Sequence, residues 1–391
     1  MYSGYFGAGG RPRMESGRLM RSVLAAAAAL LAAAAIAAPA AAASPSPAAI
    51  GPVIGGAQLS GRGVLVNYPS RAVPRLPKIK ASAWVIADAG TGQVLAAKDP
   101  HGWYRPASTL KVLTAISLIP ALNPNATVVA SKQATTVSPN IVGLMRGHSY
   151  KVSDLFTALL TISANDAAMA LAQATGSLSQ GMAVINAEAR HLQADDTVAV
   201  TPNGLDAPGQ HTSAYDLALF ARQGLQMPAF LKYDRTTSGQ FRISKKKSVG
   251  LWNQNTLLAT YPGALGGKIG WTSAAGATYV GMARRHGVTL IVSLLHCPAL
   301  TEITAGKSLL NWGFAVDGKV RPVGTLVGPK QPPGATPGPS RPAVTAQRAD
   351  RPDRAQSVGS GPSVLATAGF SGVALLVAGI GFGYSRRRSR A

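Results

Sequence analysis

Cysteine is almost missing from this sequence, which has one, Cys297, among 391 residues. A single thiol excludes an intramolecular disulfide. Its place in the apolar run Ile291–Cys297 predicts a buried, inert side chain rather than a nucleophile. The redox and metal patterns CxxC and HExxH do not occur. These absences exclude a disulfide-stapled fold and the commonest short zinc motifs.

Acidic residues are also scarce, with 15 Asp and Glu against 38 Lys and Arg and a net charge of +23. The excess is uneven. From Ser82 to Arg321 there are 20 basic and 12 acidic residues, which leaves only +8 for this central part. The rest of the charge lies near the two ends. This distribution is typical of targeting and anchoring segments and does not indicate a nucleic-acid partner, whereas the moderate central excess suits a polyanionic envelope.

The longest hydrophobic runs lie near the two ends. Residues 1–43 combine four arginines, an Ala/Leu core and the small residues Ala41–Ala43, which predicts a secretory signal. Cleavage after Ala43 is favoured over an uncleaved anchor helix. Residues 364–384 carry no charge and would reach roughly 31 Å as a helix, enough to cross a bilayer. The arginine-rich tail 385–391 predicts a cytoplasmic C-terminus.

The sequence between these two end segments is predicted to form one extracellular domain that lies near a cell membrane. Its composition gives a Pro/Gly/Ala-rich spacer at 44–80, a globular domain at 81–323 and a Pro-rich linker at 324–363. The protein is therefore expected to cross the cell membrane once, with its globular domain facing the cell wall.

Apolar periodicity predicts an α+β domain with strands at both ends and helices between them. A β-hairpin is predicted from Ala83 to Ala97. The other predicted elements are helices at Ser108–Ile119, Lys151–Thr161, Asn165–Ala174, Thr212–Leu225 and Ile303–Phe314, and strands at Leu265–Thr272, Thr278–Arg284 and Val288–Leu295. The strands from both ends are expected to share one sheet.

The first chemical motif is Ser108-Thr-Leu-Lys111. On a helix the two side chains share one face. Apolar neighbours would bury the lysine and lower its pKa, so that its amine can take the serine proton. A serine at a helix start is also a common cap. A second copy, Ser244–Lys247, lies in a basic stretch and reads as a solvated loop.

Two further strings complete the constellation. Ser163-Ala-Asn165 offers a hydroxyl that can pass a proton to a leaving amine and an amide that can hold a peptide group. Ser138-Pro-Asn140 fits the same pattern, and helix capping is the alternative for both. Lys268-Ile-Gly270 offers a cation for a substrate carboxylate in a glycine-rich strand.

The strand that carries Lys268 supplies further candidates. The backbone N–H groups of Ser108 and Trp271 can form an oxyanion hole, and Gly270 permits close approach of a ligand. Serine, lysine, serine–asparagine and lysine–glycine in this order are the parts of a serine acyl-transfer site without histidine.

A zinc site is the competing interpretation. Glu188-Ala-Arg-His191 matches half of a zinc peptidase pattern, and His148 and Asp154 are the residues that could complete it. A surface pair on a helix explains Glu188 and His191 better, so we expect neither a metal nor a cofactor.

These strings resemble the D-alanyl-D-alanine carboxypeptidases, the low-molecular-mass penicillin-binding proteins of the S11 serine peptidase family. The resemblance spans about Ala81 to Val316. The strings that carry it are Arg105–Lys111, Ser163–Ala168, Asn203–Gly209 with Ser213–Asp216, and Gly266–Gly276. It implies a β-lactamase/penicillin-binding-protein-like fold, an antiparallel sheet flanked by helices with an inserted helical region.

The resemblance also implies roles for residues. Ser108 matches the acylated nucleophile, Lys111 its general base and Ser163 the proton relay. Asn165 matches a contact to the substrate amide and Lys268 the contact to its carboxylate. The implied reaction removes the terminal D-alanine of a peptidoglycan stem peptide through an acyl-enzyme, and β-lactams would be inhibitors.

One position departs from the family pattern. The usual motif is Lys-Thr-Gly, and Ile269 stands in place of the threonine. Losing one hydrogen bond to a carboxylate costs about 1.5–3 kcal/mol, or roughly ten- to a hundredfold in selection. Thr272 is a candidate to compensate. A penicillin- or wall-binding protein with little turnover therefore stays open as an alternative. A D,D-endopeptidase also stays open, because the same three motifs would serve it.

Overall fold

A computed structural model describes residues 53–331 of the chain. The predicted signal segment 1–43, the transmembrane segment 364–384 and the tail 385–391 lie outside these residues, as does most of the linker. No helix within residues 53–331 is long and apolar enough to cross a membrane.

An antiparallel seven-stranded sheet is the centre of the fold. Its order is β1-β3-β2-β10-β9-β8, and β11 pairs with β3 beside β1. Its strands are β1 (Val64–Val66), β2 (Ala83–Asp88), β3 (Gln93–Lys98), β8 (Ala264–Thr272), β9 (Gly276–Arg285), β10 (Val288–Cys297) and β11 (Gly324–Thr325). Two separate two-stranded sheets pair β4 (Thr127–Val129) with β5 (Ser149–Lys151) and β6 (Ser238–Ser244) with β7 (Lys247–Trp252).

The helices lie mostly between β3 and β8 in the chain. They are α1 (Lys111–Leu118), α2 (Lys132–Thr135), α3 (Val152–Thr161), α4 (Asn165–Gln173), α5 (Leu178–His191), α6 (Ala214–Leu225), α7 (Pro228–Asp234), α8 (Leu257–Thr260) and α9 (Glu302–Val316). Two 3₁₀ turns precede the first strand and the first helix, at Ala57–Ser60 and Ala107–Leu110.

Both faces of the sheet are buried. In β2, Val85 and Ala87 join the core cluster under the helical region, whereas Trp84 and Ile86 join the cluster under α9. Successive side chains on a strand point to opposite faces, so a strand covered on both sides reads as a continuous apolar run. The predicted α+β class and the sharing of one sheet by strands from both ends are confirmed.

The sheet extends beyond the predicted domain boundaries 81 and 323. β1 lies in the predicted spacer and β11 in the predicted linker, and both pair with β3. Leu59 and Leu326 are buried in the core, and burying a leucine contributes about 1.5–3 kcal/mol. Isolated apolar residues among Pro and Gly gave no periodic signal, which is why the composition indicated flexible segments there.

The predicted hairpin, helices and strands are present to within a few residues. At α6, Ser213 accepts the Asp216 N–H as a capping box requires (3.1 Å), but the Asp216 carboxylate accepts from Thr197 instead of the cap (2.7 Å). Helix α7 and the hairpin β6–β7 were not predicted. Cys297 is buried, and its pKa is raised to about 12, chiefly by burial.

Candidate active site

The predicted nucleophile lies on the 3₁₀ turn that leads into α1. This turn is tied to the sheet because the Thr278 hydroxyl on β9 donates to the Pro106 carbonyl, at 2.9 Å. Ala107, directly before Ser108, has φ of +46°, a conformation that costs a non-glycine residue free energy and is often found at functional sites. The turn therefore fixes the backbone at Ser108 against the centre of the sheet.

Lys111 is fully buried one turn after Ser108. Its Nζ lies 2.8 Å from Ser108 Oγ, 2.7 Å from Asn165 Oδ1 and 2.6 Å from the carbonyl oxygen of Asn203. All three partners are neutral. The structure thus brings Asn165 to Ser108 and Lys111, from which the sequence separates it by more than fifty residues.

This environment disfavours the charged form of Lys111. Burial is the largest cause, followed by the positive charge of Lys268, and together they hold the pKa of Lys111 well below its usual value. Asp166 opposes this with a smaller effect. A buried lysine without a bonded carboxylate favours the neutral amine, the form that can accept a proton.

The Ser163–Asn165 turn is held by its neighbours. Asn140 Nδ2 donates to the carbonyls of Ile162 (2.8 Å) and Ser163 (3.0 Å), and the Asn140 carbonyl accepts the Asn165 N–H (2.8 Å). Asn140 belongs to the second S-x-N copy. That copy therefore supports the turn that carries Ser163.

Asp166 holds the loop that follows Asn140 through hydrogen bonds to its backbone. Its buried carboxylate accepts N–H bonds from the backbone of Val142, Gly143 and Leu144, at 2.8–3.0 Å. One carboxylate thus fixes the loop that holds Asn140 beside the site.

Ser163 itself has φ of +63° and is 2% exposed. Its hydroxyl oxygen has no hydrogen-bond partner among residues 53–331. A buried hydroxyl without a partner loses free energy, so this group is available to a substrate. Its predicted role as a proton relay stays a prediction.

Lys268 is the second buried cation and lies on the edge strand β8. Its Nζ donates to the Ile269 carbonyl (2.8 Å), and burial lowers its pKa to about 7 against the raising effect of Asp234. Asp234 is also fully buried, its Oδ2 accepts the Gly267 N–H (2.7 Å), and burial raises its pKa to about 7. Its Oδ1 has no partner among the described residues.

The glycines of β8 make these contacts possible. A Cβ on Gly270 would lie 2.7 Å from the Ser108 nitrogen, so only glycine lets β8 approach the nucleophile turn. Gly266 and Gly267 have φ near +142°, which favours glycine, and their backbone lies against Asp234.

The other predicted residues of β8 differ in their surroundings. Ile269 packs against the α9-side cluster and offers no hydroxyl. Trp271 follows Gly270 and its side chain is 63% exposed. The Thr272 hydroxyl accepts the Ala275 N–H (2.9 Å) in the turn to β9 and keeps its own proton to donate.

The rejected alternatives lie elsewhere. Ser244–Lys247 forms the exposed turn between β6 and β7. Glu188 and His191 both lie on α5, whereas Asp154 lies on α3 and His148 precedes β5. No group of His, Cys, Asp and Glu within residues 53–331 is arranged to hold a metal ion.

Three site residues gave no usable signal in the sequence. Asn203 acts through its carbonyl, and a backbone acceptor leaves no trace in side-chain patterns. Asp234 lies 34 residues before Lys268 in an element that was not predicted. Asn140 was predicted only as part of Ser138-Pro-Asn140, a rival to Ser163-Ala-Asn165, although polar loop residues near a motif are reasonable candidates for supporting bonds.

Comparison with known proteins agrees with this geometry. The D-alanyl-D-alanine carboxypeptidase family, Peptidase S11, matches residues 70–298. A similar curated protein is the D-alanyl-D-alanine carboxypeptidase DacB2 of Mycobacterium tuberculosis, 38% identical over 64% of this chain and 87% of the relative. DacD of Salmonella typhimurium is 32% identical over 61% of this chain, which spans 64% of that relative's length.

Solved structures point the same way. A D-alanyl-D-alanine carboxypeptidase from M. tuberculosis H37Rv is 38% identical, with a TM-score of 0.63 over 66% of this chain and 99% of that chain. Penicillin-binding protein 6B from Escherichia coli is 31% identical, with a TM-score of 0.58 over 64% of this chain and 81% of that chain. The predicted fold is therefore confirmed, and the chain belongs to the D-alanyl-D-alanine carboxypeptidase family of serine peptidases.

Proposed function

We propose that this chain is a membrane-anchored D-Ala-D-Ala carboxypeptidase that removes the terminal D-alanine of peptidoglycan stem peptides through an acyl-enzyme on Ser108. The observation that carries the proposal is the buried Lys111 amine, 2.8 Å from Ser108 Oγ and bonded only to neutral groups. Membership of the carboxypeptidase family supplies the substrate class.

Acylation begins with proton transfer from the Ser108 hydroxyl to neutral Lys111. The serine oxygen attacks the carbonyl carbon between the last two D-alanines. As the carbonyl oxygen gains negative charge, the backbone N–H groups of Ser108 and Trp271 donate to it. Gly270 supports this step because it leaves the Ser108 amide uncovered. Donors aimed at the developing charge are commonly among the largest contributions to rate.

Collapse of the tetrahedral intermediate breaks the C–N bond. The leaving amine takes a proton that Ser163 passes on from Lys111, and free D-alanine departs. Water then attacks the ester with Lys111 as base, which releases the shortened peptide and restores the Ser108 hydroxyl. Asn165 holds the peptide group, and the Lys268 ammonium attracts the terminal carboxylate before cleavage.

The location is proposed from the ends of the chain. The uncharged segment 364–384 and the arginines after it are typical of a single transmembrane helix with a cytoplasmic tail. Protease treatment of intact cells tests this: the domain should be digested from outside while a C-terminal tag is protected.

One observation favours a second candidate, a penicillin-binding protein with little turnover. Ile269 provides no hydroxyl for the substrate carboxylate and packs into an apolar cluster. β-Lactams would still acylate Ser108 in such a protein, but release of D-alanine would be slow.

Two assays on the purified full-length chain separate these candidates. The first measures D-alanine released from a pentapeptide ending in D-Ala-D-Ala, and the second measures the mass added by penicillin. The proposal predicts both activities and their loss in Ser108→Ala. Acylation without release favours the second candidate, and a penicillin adduct on Ser108→Ala would overturn the assignment of the nucleophile. A cross-linked peptide substrate tests for endopeptidase activity.

A further inference from the structure

The five tryptophans divide into two groups by exposure. Trp84 and Trp312 are 1% and 4% exposed in the core cluster under α9. Trp103, Trp252 and Trp271 are 67%, 69% and 63% exposed. Tryptophan is highly buried on average, and large exposed apolar side chains that gather in one region mark binding surfaces. The three exposed tryptophans therefore need an explanation that packing does not provide.

Trp103 is exposed but held in one orientation. Its Nε1 donates to Asp196 Oδ1 (3.1 Å), and its ring stacks on His211 with centroids 4.2 Å apart and planes inclined by 18°. Asp196 is itself bonded to His101 (2.7 Å). One ring face is thus covered and fixed while much of the indole stays in solvent. A ring ordered beforehand loses little entropy when a ligand binds.

Trp252 is fixed in a different way. Its indole lies over Gly250, where a Cβ would overlap the six-membered ring. The absence of a side chain at Gly250 lets the ring lie close against β7, which leaves the remaining indole surface accessible.

All three tryptophans lie on segments that build the candidate active site. Trp271 follows Gly270, which contacts the Ser108 backbone. Trp103 precedes Ser108 by five residues, a separation of at most about 19 Å between Cα atoms. Trp252 lies two residues before Gln254. The Gln254 N–H donates to the carbonyl of Thr161 (2.9 Å), which lies two residues before Ser163. Trp103 thus lies shortly before the 3₁₀ turn that carries Ser108, Trp252 ends β7 beside a segment bonded to the Ser163 region, and Trp271 lies on β8.

We propose that these three tryptophans form a binding surface for the glycan strand of peptidoglycan, next to the cleft that takes the stem peptide. This inference rests on the proposed function, because the stem peptide is attached to that glycan. Pyranose rings present C–H groups with partial positive charge, and the face of an indole is negative. Flat aromatic surfaces around a peptide cleft therefore suit a sugar polymer that carries the peptide.

The inference predicts that the enzyme distinguishes a peptide attached to sugar from the same peptide alone. We name Trp103, Trp252 and Trp271 the tryptophan rim. Each ring should contribute a measurable part of glycan affinity, since stacking of a planar ligand on one aromatic side chain is worth about 1–3 kcal/mol in single-stranded nucleic-acid binding, equivalent to roughly five- to a hundredfold.

Binding is tested without turnover in the full-length Ser108→Ala protein, purified in detergent. Co-sedimentation with isolated, peptide-stripped glycan strands is compared for this protein and for versions that also carry Trp103→Ala or Trp252→Ala. We expect each tryptophan substitution to weaken binding by about fivefold or more. Leu300→Ala is the matched control, because Leu300 is 92% exposed in the turn before α9 and is not part of the rim. It should bind as the parent does.

Turnover is a second readout. The ratio of kcat/KM for a disaccharide-pentapeptide to that for the free pentapeptide should fall in Trp103→Ala and Trp252→Ala, and Trp103→Phe should recover part of it. Thermal unfolding identifies variants that fail to fold. If Trp103→Ala fails through its lost bond to Asp196, Trp252→Ala decides, since Trp252 makes no side-chain hydrogen bond within residues 53–331.

The inference is overturned if the parent does not bind glycan strands, or if the tryptophan variants bind no worse than Leu300→Ala. Failure of the proposed function is a different result: D-alanine would be released from neither substrate while glycan binding remained. D-alanine release with equal use of both substrates would reject the tryptophan rim and leave the carboxypeptidase proposal intact.

Discussion

Lys111 and Lys268 are both removed from solvent, yet their surroundings differ. Lys111 is bonded to a hydroxyl, an amide oxygen and a carbonyl. Its pKa is lowered first by burial and then by repulsion from Lys268. Lys268 has one carbonyl partner, and the carboxyl group of Asp234 lies behind it. Two lysines in one site are thus biased towards different protonation states.

This difference separates their proposed roles. A general base must be neutral, and burial, followed by the charge of Lys268, lowers the pKa of Lys111 and favours that form. A group that attracts a carboxylate must be charged, and a nearby carboxylate favours the ammonium. At neutral pH the pair can therefore hold one amine and one partly charged ammonium, which is the combination that acyl transfer from an anionic peptide to a serine needs.

The largest test removes the base. Lys111→Ala should slow acylation of Ser108 by a fluorescent penicillin by about 10²- to 10⁴-fold, the usual contribution of general base catalysis. Lys247→Ala, in the exposed second copy of the motif, is the control and should react normally. Rapid labelling of a folded Lys111→Ala protein would show that the two lysines do not divide the work as proposed.

The second test changes Gly270, where the strand that carries Lys268 lies against the turn that carries Ser108. In Gly270→Ala the new Cβ would lie 2.7 Å from the Ser108 nitrogen and would push β8 away from the nucleophile turn. A displacement of about 1 Å can cost roughly 10²-fold in rate, and we expect a loss of this size in the acylation rate constant. Gly239→Ala has open space for its Cβ and should leave that constant unchanged; equal losses in both would refute the geometric argument.

The third test concerns pH. In the proposed mechanism the charge of Lys268 captures the substrate carboxylate, so kcat/KM should fall as pH rises through the pKa of Lys268 near 7. Asp234 raises that pKa, so Asp234→Asn lowers it and moves the falling limb to lower pH. The expected loss at pH 8 is about thirtyfold, equivalent to about 2 kcal/mol, and it should shrink as the pH is lowered towards 6.

A matched substitution keeps the third test specific. Asp195→Asn removes an exposed carboxylate that lies 4.0 Å from Lys330 Nζ, and this substitution should not shift the kcat/KM profile. If the profile of Asp234→Asn overlays that of the unsubstituted protein, Lys268 does not depend on Asp234 for its charge.

The smallest test restores the usual family residue. Ile269→Thr should raise kcat/KM for a D-Ala-D-Ala peptide by about tenfold, the lower end of the value of one hydrogen bond to a charged group. Unfolding stability should fall by about 1 kcal/mol, because part of the Ile269 contact with the α9-side cluster is lost. Ile269→Val separates the two effects, since it loses packing without adding a hydroxyl. An unchanged kcat/KM in Ile269→Thr would mean that Lys268 captures the carboxylate without help at this position.

Much of the fold could be predicted because its central strands alternate between two buried faces. The hairpin β2–β3 and the strands β8, β9 and β10 show this pattern clearly. The edge strands β1 and β11 do not, since they have three and two residues and lie in Pro- and Gly-rich sequence. Helix α7 has seven residues, too few for a clear period of 3.6.

The contacts of the candidate site likewise divide into those that the sequence predicts and those that it does not. Ser108 and Lys111 lie three residues apart on one turn, so sequence spacing alone predicts their contact. Spacing could not predict that Asn165 and the carbonyl of Asn203 complete the lysine's surroundings, because these contacts depend on how α4 and the following loop pack. Asp234, whose carboxylate raises the pKa of Lys268, was missed for a related reason: a buried carboxylate in a short helix looks like an ordinary surface residue.

The edge of β3 holds both ends of the described domain together. β1 and β11 lie end to end along it, and the Thr325 N–H donates to the Gly55 carbonyl at 2.8 Å. Adjacent ends are the arrangement that tolerates circular permutation. A short peptide could join residue 331 to residue 53, with new termini opened at the lysine-rich turn between β6 and β7. Such a rewired polypeptide would keep its catalytic groups in place while moving its attachment point to the opposite part of the domain.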